Sequence, residues 1–241
     1  MIDVVEVGKV YGKKDQAFTA LADVSFTVPD GASVAIIGKS GSGKSTLMHI
    51  MSGLDHPTKG AIVVDSEDIS ALKRKALDRF RAEKIGFIFQ AFFVQANESC
   101  YHNVSLPLEI ARIGGNKRRT RIQAALKQVE LADKIDQKAK NLSGGQKQRL
   151  AIARAIVNMP KIIFADEPTG NLDSRTSIEI MRLFQELNAG GMTIILITHE
   201  VDISEYARRV ITLRDGRILS DHPIAAPRDA AAELARAPEP E

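Results

Sequence analysis

Residues 33–51 read SVAIIGKSGSGKSTLMHIM, and this stretch decides the fold of the chain. The apolar run at 33–37 predicts a buried strand, and the residues after Ser45 predict a helix. Between them, residues 38–45 fit the pattern G-x-x-x-x-G-K-[ST] without a mismatch. Glycines in such a loop let backbone N–H groups converge on phosphate oxygens. A strand, this loop and a helix in succession predict an α/β fold that binds a nucleotide.

Two side chains of the loop have chemistry that suits a triphosphate. Lys44 can reach the terminal phosphates, and the Ser45 hydroxyl can ligate Mg²⁺. A Gly/Ser loop without a ligand is the alternative, but it gives no reason for the flanking strand and helix. Nine residues are expected to bind the nucleotide: Gly38, Lys39, Ser40, Gly41, Ser42, Gly43, Lys44, Ser45 and Thr46.

A second apolar strand ends in two acids, in the sequence KIIFADEP at residues 161–168. A central parallel strand delivers carboxylates to its C-terminal end in this way. We expect Asp166 to hold Mg²⁺, through water, and Glu167 to orient or deprotonate the attacking water. A strand followed by an acidic turn is the alternative, and it would be preferred if the phosphate loop were absent.

A second candidate phosphate site has the sequence LSGGQ at residues 142–146. Adjacent glycines weaken a helix or strand, yet a helical pattern begins at residue 147. Ser143, Gly144, Gly145 and Gln146 are therefore expected at a helix N-terminus, where free N–H groups and the helix dipole favour a phosphate. Two phosphate sites in one chain raise the question of whether both serve one nucleotide.

The order of these motifs resembles that of the nucleotide-binding subunits of ATP-binding-cassette (ABC) transporters, over about residues 2–221. The resemblance implies an α/β P-loop NTPase core with an N-terminal antiparallel β portion and a helical subdomain inserted at about 91–157. It also implies ATP and Mg²⁺ as ligands. In this family residues 38–46 would be the Walker A loop, and residues 142–146 the signature sequence. The signature is more specific than the Walker motifs, which occur in many NTPases.

Four further residues receive roles from the resemblance. Tyr11 resembles the aromatic residue that stacks on adenine, and Gln90 the glutamine that couples Mg²⁺ to a moving segment. Asp173 resembles the D-loop aspartate at a subunit interface, and His199 the histidine that contacts the γ-phosphate. Each residue also has an ordinary alternative. Tyr11 can simply pack and Gln90 can be a surface amide, while Asp173 can cap a helix and His199 can be a capped core histidine. The resemblance thus implies catalytic residues Glu167, His199 and Gln90 and metal-binding residues Ser45, Gln90 and Asp166.

Composition agrees with a globular protein of the cell interior. The chain has 241 residues and 33 Lys and Arg against 30 Asp and Glu, which gives no strong signature of nucleic-acid binding. The single cysteine, Cys100, excludes an intrachain disulfide and fits a reducing cytosol. We see no signal peptide and no apolar run long enough to span a bilayer. The expected location is cytoplasmic, peripheral on the inner face of the cell membrane.

The domain organisation follows from the motifs. Residues 1–221 are expected to form the ATPase domain. Residues 222–241 are rich in Ala, Pro and charge and are expected to have little packed structure, apart from a short helix at about 229–237. The basic clusters at 73–75 and 117–119 can touch a lipid surface or an acidic partner, or be solvated faces.

Details of the sequence resemble one branch of the family, the lipoprotein-release, macrolide-exporter and cell-division group. These are GNLDS at 170–174 and NVSLPL at 103–108. The branch serves permeases that transmit motion across a membrane. The resemblance implies two partners, a second copy bound head to tail and a separate FtsX- or MacB-like permease, and no nucleic acid. Residues 91–102 depart from the pattern of the group where its members contact the permease.

Three alternatives are weighed against this interpretation. An importer subunit is the main competitor. A soluble ABC ATPase acting on DNA or ribosomes would carry coiled-coil insertions or a second cassette, and this chain has neither. A non-hydrolysing regulatory cassette is disfavoured by the presence of Glu167 and His199. The transported substrate is not indicated by the sequence.

Overall fold

The computed structural model describes residues 1–236, which form two sheets and the helices that cover them. One sheet is antiparallel and four-stranded, in the order β2-β1-β4-β5. Its strands are β1 Ile2–Tyr11, β2 Phe18–Val28, β4 Lys59–Val64 and β5 Glu67–Asp68. It is the N-terminal antiparallel portion that the resemblance implies. Strands β1 and β2 pair out to Tyr11 and Phe18, beyond Val7 and Ala20, which are the last buried residues of the two strands at that end.

The second sheet has six strands, in the order β10-β9-β3-β8-β7-β6. They are β3 Ser33–Ile37, β6 Ile85–Ile88, β7 Ile162–Asp166, β8 Thr193–Thr198, β9 Arg209–Arg214 and β10 Arg217–Pro223. All neighbouring strands are parallel except β9 and β10. The C-terminal ends of β3, β8 and β7 therefore lie side by side at one edge of the sheet, where ligands of open α/β sheets bind.

Eight α-helices surround the sheets in the described part of the chain. They are α1 Lys44–Met51, α2 Arg74–Lys84, α3 Cys100–Ile110, α4 Gly115–Gln128, α5 Gly144–Ile156, α6 Ser174–Ala189, α7 Val201–Ser204 and α8 Ala230–Arg236. Helices α3, α4 and α5 occupy the interval predicted for the helical subdomain. Among residues 1–236, no helix combines the length and the apolar character needed to cross a bilayer.

The six-stranded sheet is packed on both faces, because successive residues of a strand point to opposite sides. In β7, Ile162 and Phe164 pack with the four-stranded sheet and helices α1 and α2. Ile163 and Ala165 pack with helices α3 to α6 on the other face. This two-sided burial explains why the central strands are almost purely apolar.

Phe164→Ala is expected to lower the free energy of unfolding by about 3–5 kcal/mol, because Phe164 is fully buried and its removal leaves a cavity. Phe93→Ala makes the same change at a side chain that is 66% exposed, and about 0.5 kcal/mol or less is expected there. Urea denaturation of both variants measures the difference. An equal loss of unfolding free energy in both variants would mean that the burial of Phe164 does not stabilise the fold.

The C-terminal segment corrects one expectation. Helix α8 packs on α6, and Ala230 is fully buried. The Gln185 side chain donates to the Arg228 carbonyl at 2.7 Å and accepts from the Ala230 N–H at 3.0 Å. The expectation of little packed structure from residue 222 onward is therefore wrong as far as residue 236, where the anticipated short helix is present. Its partners lie far away in sequence, so composition could not reveal them. Residues 237–241 lie outside the described residues.

Candidate active site

The glycine-rich loop joins β3 to α1 and lies in close contact with main-chain atoms of neighbouring strands. A Cβ on Gly38 would lie 2.3 Å from the Leu213 carbonyl oxygen, and one on Gly43 would lie 2.6 Å from the Ala20 carbonyl oxygen. Gly43 also has a φ of 100° immediately before α1 begins. Only glycine fits at these two positions, so the loop passes close under the neighbouring strands and directs the start of α1 toward its centre.

The polar groups inside the loop suit a triphosphate. The Lys44 ammonium, almost buried, donates to the carbonyls of Gly38 at 2.7 Å and Lys39 at 3.0 Å. The Ser42 hydroxyl is buried and has no hydrogen-bond partner among residues 1–236. A buried hydroxyl without a partner is costly, and a phosphate oxygen would satisfy it. A cation, an unpaired donor and a helix N-terminus therefore meet at one place.

The loop opens into a cavity that brings several predicted residues together. All nine loop residues from Gly38 to Thr46 line it, as do Glu167 and His199. The sequence analysis missed other lining residues, Phe18, Ala20, Ile37, Val201 and Thr212. No motif marks them. Phe18 is distinguished only by the structure, in which its aromatic side chain is 61% exposed on a strand.

Tyr11 lies beside this cavity but not among its lining residues. It is the cross-strand partner of Phe18. Its hydroxyl donates to Asp55 Oδ2 at 2.8 Å, and the Lys9 ammonium lies 4.8 Å from the ring centroid. Burial and the hydrogen bond to Asp55 raise the pKa of Tyr11. The ring is thus held in place at the mouth of the site, and stacking on adenine stays a prediction.

Glu167 and His199 are paired across neighbouring strand ends. The Glu167 Oε1 atom lies 2.8 Å from His199 Nδ1. Glu167 adopts a φ of 45°, which a non-glycine residue rarely does, and its N–H donates to the Ile197 carbonyl at 2.8 Å. This main-chain anchor turns the Glu167 carboxylate away from the strand and into the cavity.

Asp166 precedes this pair at the end of β7 and is partly buried. Burial and the adjacent charge of Glu167 raise the pKa of Asp166, while His49 and Lys44 oppose that shift. A divalent cation would offset the repulsion between the two carboxylates. Carboxylate and hydroxyl oxygens are ligands that Mg²⁺ prefers, so Asp166 and the Ser45 hydroxyl fit the metal that the family implies.

Gln90 contacts the turn that follows Glu167, and it does not line the cavity. The Gln90 carbonyl accepts from the Asn171 side-chain amide at 2.9 Å. A Cβ on Gly170 would lie 2.8 Å from Gln90 Nε2, so the glutamine side chain rests on this glycine. Gln90 is therefore joined to the turn that follows Glu167 in the same chain.

The signature residues form the N-terminus of α5. The Ser143 hydroxyl accepts from the Gln146 N–H at 3.2 Å, and Gln146 Oε1 accepts from the Ser143 N–H at 3.1 Å. This reciprocal capping box starts the helix at Gly144. The expectation that the helix begins only after Gln146 is wrong, because the cap compensates for two weak helix formers.

Asp173 and the signature lie together, away from the cavity. Asp173 caps α6 by accepting from the Thr176 N–H at 2.9 Å. A Cβ on Gly145 would lie 2.5 Å from Thr176 Cγ2, so the starts of α5 and α6 are in contact. None of the residues 143–146, nor Asp173, lines the cavity that the phosphate loop of this chain forms.

Comparison with known proteins agrees with this geometry. Residues 21–170 match the family described as ABC transporter. The macrolide export ATP-binding/permease protein MacB of Bordetella avium is 42% identical over the whole chain, which spans only 37% of that relative's length. The uncharacterized ABC transporter ATP-binding protein YknY of Bacillus subtilis is 46% identical over 91% of this chain and 95% of its own length.

Solved structures have the same fold. The ATP-binding cassette MJ0796, a dimer in a post-hydrolysis state bound to ADP and Pi, has a TM-score of 0.85 and 38% identity. The match covers 94% of this chain and 100% of that chain. The fold, the phosphate loop and these relatives agree, and the chain belongs to the ABC transporter family as an ATP-hydrolysing cassette.

Proposed function

We propose that this cassette drives a separate membrane permease by closing and opening an ATP-dependent dimer. One observation carries the proposal. The signature residues, which we predict to form a second phosphate site, do not line the cavity of their own chain. A second copy can bring its signature to that cavity, and the related MJ0796 cassette is a dimer. Two identical chains joined head to tail in this way would have two-fold symmetry.

In the proposed mechanism the loop residues bind ATP. Backbone N–H groups of residues 38–46 and the Lys44 ammonium bind the phosphates, and the Lys44 contacts with loop carbonyls give way to phosphate oxygens. Ser45, Asp166 and Gln90 would hold Mg²⁺. When bound, the metal offsets the charge on the terminal phosphates. Tyr11, with Phe18 beside it, contacts the adenine.

Glu167 accepts the proton of the attacking water in this proposal. His199 holds the carboxylate through Nδ1 at 2.8 Å, which leaves Nε2 to face the γ-phosphate. Ser143 and the Gly144 and Gly145 N–H groups of the second copy complete the γ-phosphate contacts. Their loss after hydrolysis opens the dimer.

The surface beside Gln90 is where we place the permease. Phe93 is 66% exposed there and packs edge-on against Phe89. Arg154 of α5 donates to the carbonyls of Phe92 at 3.1 Å and Phe93 at 2.7 Å. This contact ties the Gln90 segment to the signature helix, so both would move together. The relative MacB, a macrolide export ATP-binding/permease protein, supports a permease as the partner. We assign that permease to the mechanotransmission type and place the cassette on the inner face of the membrane.

Co-purification tests the proposed partner. Pull-down with a detergent-solubilised MacB-like permease is expected to retain the cassette, and a Phe93→Asp variant is expected to weaken retention at least tenfold. The variant places a charge on an apolar contact surface. Retention by a multi-span importer permease instead, insensitive to Phe93→Asp, would reject the proposal in favour of import.

Lys44→Ala is expected to weaken ATP binding at least tenfold or to stop turnover, because a charged contact to phosphate is lost in a nearly closed loop. Isothermal titration with ATP measures the affinity. Lys140→Ala, which removes an exposed lysine far from the cavity, is the matched control and should bind ATP normally. Unchanged affinity together with unchanged ATPase activity would contradict the assignment of the loop.

A further inference from the structure

The helical subdomain carries a concentration of positive charge that the ATPase cycle does not use. Residues 110–129 contain six Lys and Arg and no Asp or Glu. The whole chain has a formal net charge of only +3, so the rest of it is net negative. The positive charge is therefore local to the turn between α3 and α4 and to α4 itself.

Most of this charge is not neutralised within the chain. Arg118 alone is used internally, with Glu109 at 3.3 Å and the Ile113 carbonyl at 2.7 Å. In the described residues, Arg112, Lys117, Arg119 and Arg121 form no ion pair. Together with Lys127, which likewise forms no ion pair among residues 1–236, five cations thus remain on this turn and the helix after it.

The basic cluster on α2 differs in this respect. It begins with Lys73, Arg74 and Lys75, but acids follow within the same helix. Arg79 pairs with Glu83 at 2.8 Å, and Arg81 pairs with Asp78. Charge on α2 is mixed, whereas charge on α4 has a single sign.

An exposed apolar side chain lies at one end of the positively charged stretch 110–129. Ile122, Ala125 and Leu126 of α4 are buried in the core, so the polar side of the helix faces outward. Ile110, at the end of α3, is 76% exposed next to Arg112. We define Ile110, Arg112, Lys117, Arg119 and Arg121 as the α4 basic surface. An exposed apolar side chain within a cluster of cations is a combination typical of membrane-surface contacts.

The position of this surface relates it to the membrane. Ile110 also lines a groove with Phe89 and Arg154, beside the segment where we place the permease. The α4 basic surface therefore continues from the proposed permease site. A cassette docked there would present this surface toward the leaflet around the permease.

We propose that the α4 basic surface binds anionic phospholipid headgroups of the membrane leaflet that the cassette faces, with Ile110 inserted at the headgroup boundary. The inference deepens the proposed function, because it assigns a second, lipid partner to a cassette held by a permease. Each Lys or Arg near an anionic leaflet adds about fivefold to the affinity, so four cations give measurable binding. A nucleic acid is the weaker candidate, since the surface has no aromatic side chain for stacking on bases.

Vesicle co-sedimentation of the full chain tests the proposal without a permease. We expect binding to phosphatidylglycerol-containing vesicles and at least tenfold weaker binding to pure phosphatidylcholine vesicles. Binding should fall steeply in about 1 M salt, where the Debye length is about 3 Å. Because no permease is present, failure here leaves the proposed function untouched, and failure of the permease pull-down leaves this result untouched.

Charge reversal locates the contact. Lys117→Glu/Arg119→Glu/Arg121→Glu is expected to reduce vesicle affinity at least tenfold. The matched control Lys73→Glu/Arg74→Glu/Lys75→Glu has the same net charge and is expected to stay within about threefold of the parent chain, since it leaves the α4 cations in place. Both should bind ATP normally, which verifies folding. Ile110→Ser should lower affinity several-fold without changing the salt dependence.

Three results would overturn the proposal. They are equal binding to neutral and anionic vesicles, an equal loss in the α2 control, and oligonucleotide binding through these residues without vesicle binding. If the charge-reversed chain does not fold, Lys117→Gln/Arg119→Gln/Arg121→Gln removes the same three charges without adding negative ones. This variant must then show the same loss of vesicle affinity relative to the parent chain.

Discussion

Glu167→Gln is expected to bind MgATP and to hydrolyse it about 10²–10⁴ times more slowly than the parent chain. The amide keeps the shape of the carboxylate and its contact with His199 but cannot accept the proton of water. The left-handed backbone at Glu167 fixes the position of this side chain, so no neighbouring group replaces it easily. Single-turnover hydrolysis at saturating ATP measures the chemical step.

Glu200→Gln provides a control with the same chemical change one residue after His199. The Glu200 carboxylate lies 3.4 Å from the Thr169 hydroxyl and does not line the cavity. We expect its rate to stay within a few-fold of the parent. Near-normal turnover by Glu167→Gln, or equal loss in both variants, would exclude Glu167 as the main base.

Glu167→Gln is also expected to dimerise with ATP and to stay monomeric with ADP. In the proposed dimer only the γ-phosphate would reach the signature of the second copy, so ATP would bind the closed dimer more tightly than the open monomer, and ADP would not. Adding Ser143→Arg should abolish the dimer by steric block and buried charge, while ATP binding to the monomer persists. Light scattering across a nucleotide series measures the association.

The Ser143→Arg substitution requires a control, because it also removes the side chain that caps the N-terminus of α5. Ser143→Asp keeps an N-cap, since aspartate is a preferred capping residue, and places a negative charge against the γ-phosphate. It should abolish the dimer without loss of stability. A dimer that forms equally well with ADP, or survives both substitutions, would show that the signature is not half of a nucleotide site. If the isolated parent does not dimerise detectably, the same series is run with the permease bound.

The parts of the site that the sequence predicted are the ones that local chemistry determines. The phosphate loop needs glycine at Gly38 and Gly43 because main-chain atoms pass within 3 Å of where a Cβ would lie, and that need is visible as a motif. The acids after β7 were visible because a buried strand ends there. Parallel strand order then joined Glu167 to His199, which are 32 residues apart.

Two of the features that the sequence did not predict depend on contacts between distant residues. Phe18 lines the cavity only because β1 and β2 pair beyond their apolar cores. The packing of α8 rests on Gln185 and on the Tyr206 hydroxyl, which donates to Glu233 at 2.7 Å. The start of α5 at Gly144 needed the reciprocal cap to be recognised as stronger than the cost of two glycines. The first two are pairings of residues distant in the chain, which a single sequence does not display, whereas the S-x-x-Q pattern at 143–146 is a local signal of a helix start.

The capping box at Ser143 has a consequence for the direction of its hydroxyl proton. The oxygen accepts from the Gln146 N–H, and an acceptor lone pair is thereby occupied. The O–H bond is left to rotate away from the helix, toward whatever stands in front of it. In the proposed dimer Ser143 would thus meet the phosphate as a donor, with its oxygen held in place by the cap and its proton free to turn toward the phosphate. Closure of two cassettes would then require little local rearrangement at Ser143. Most of the free-energy cost of closure would come from the movement of whole subdomains.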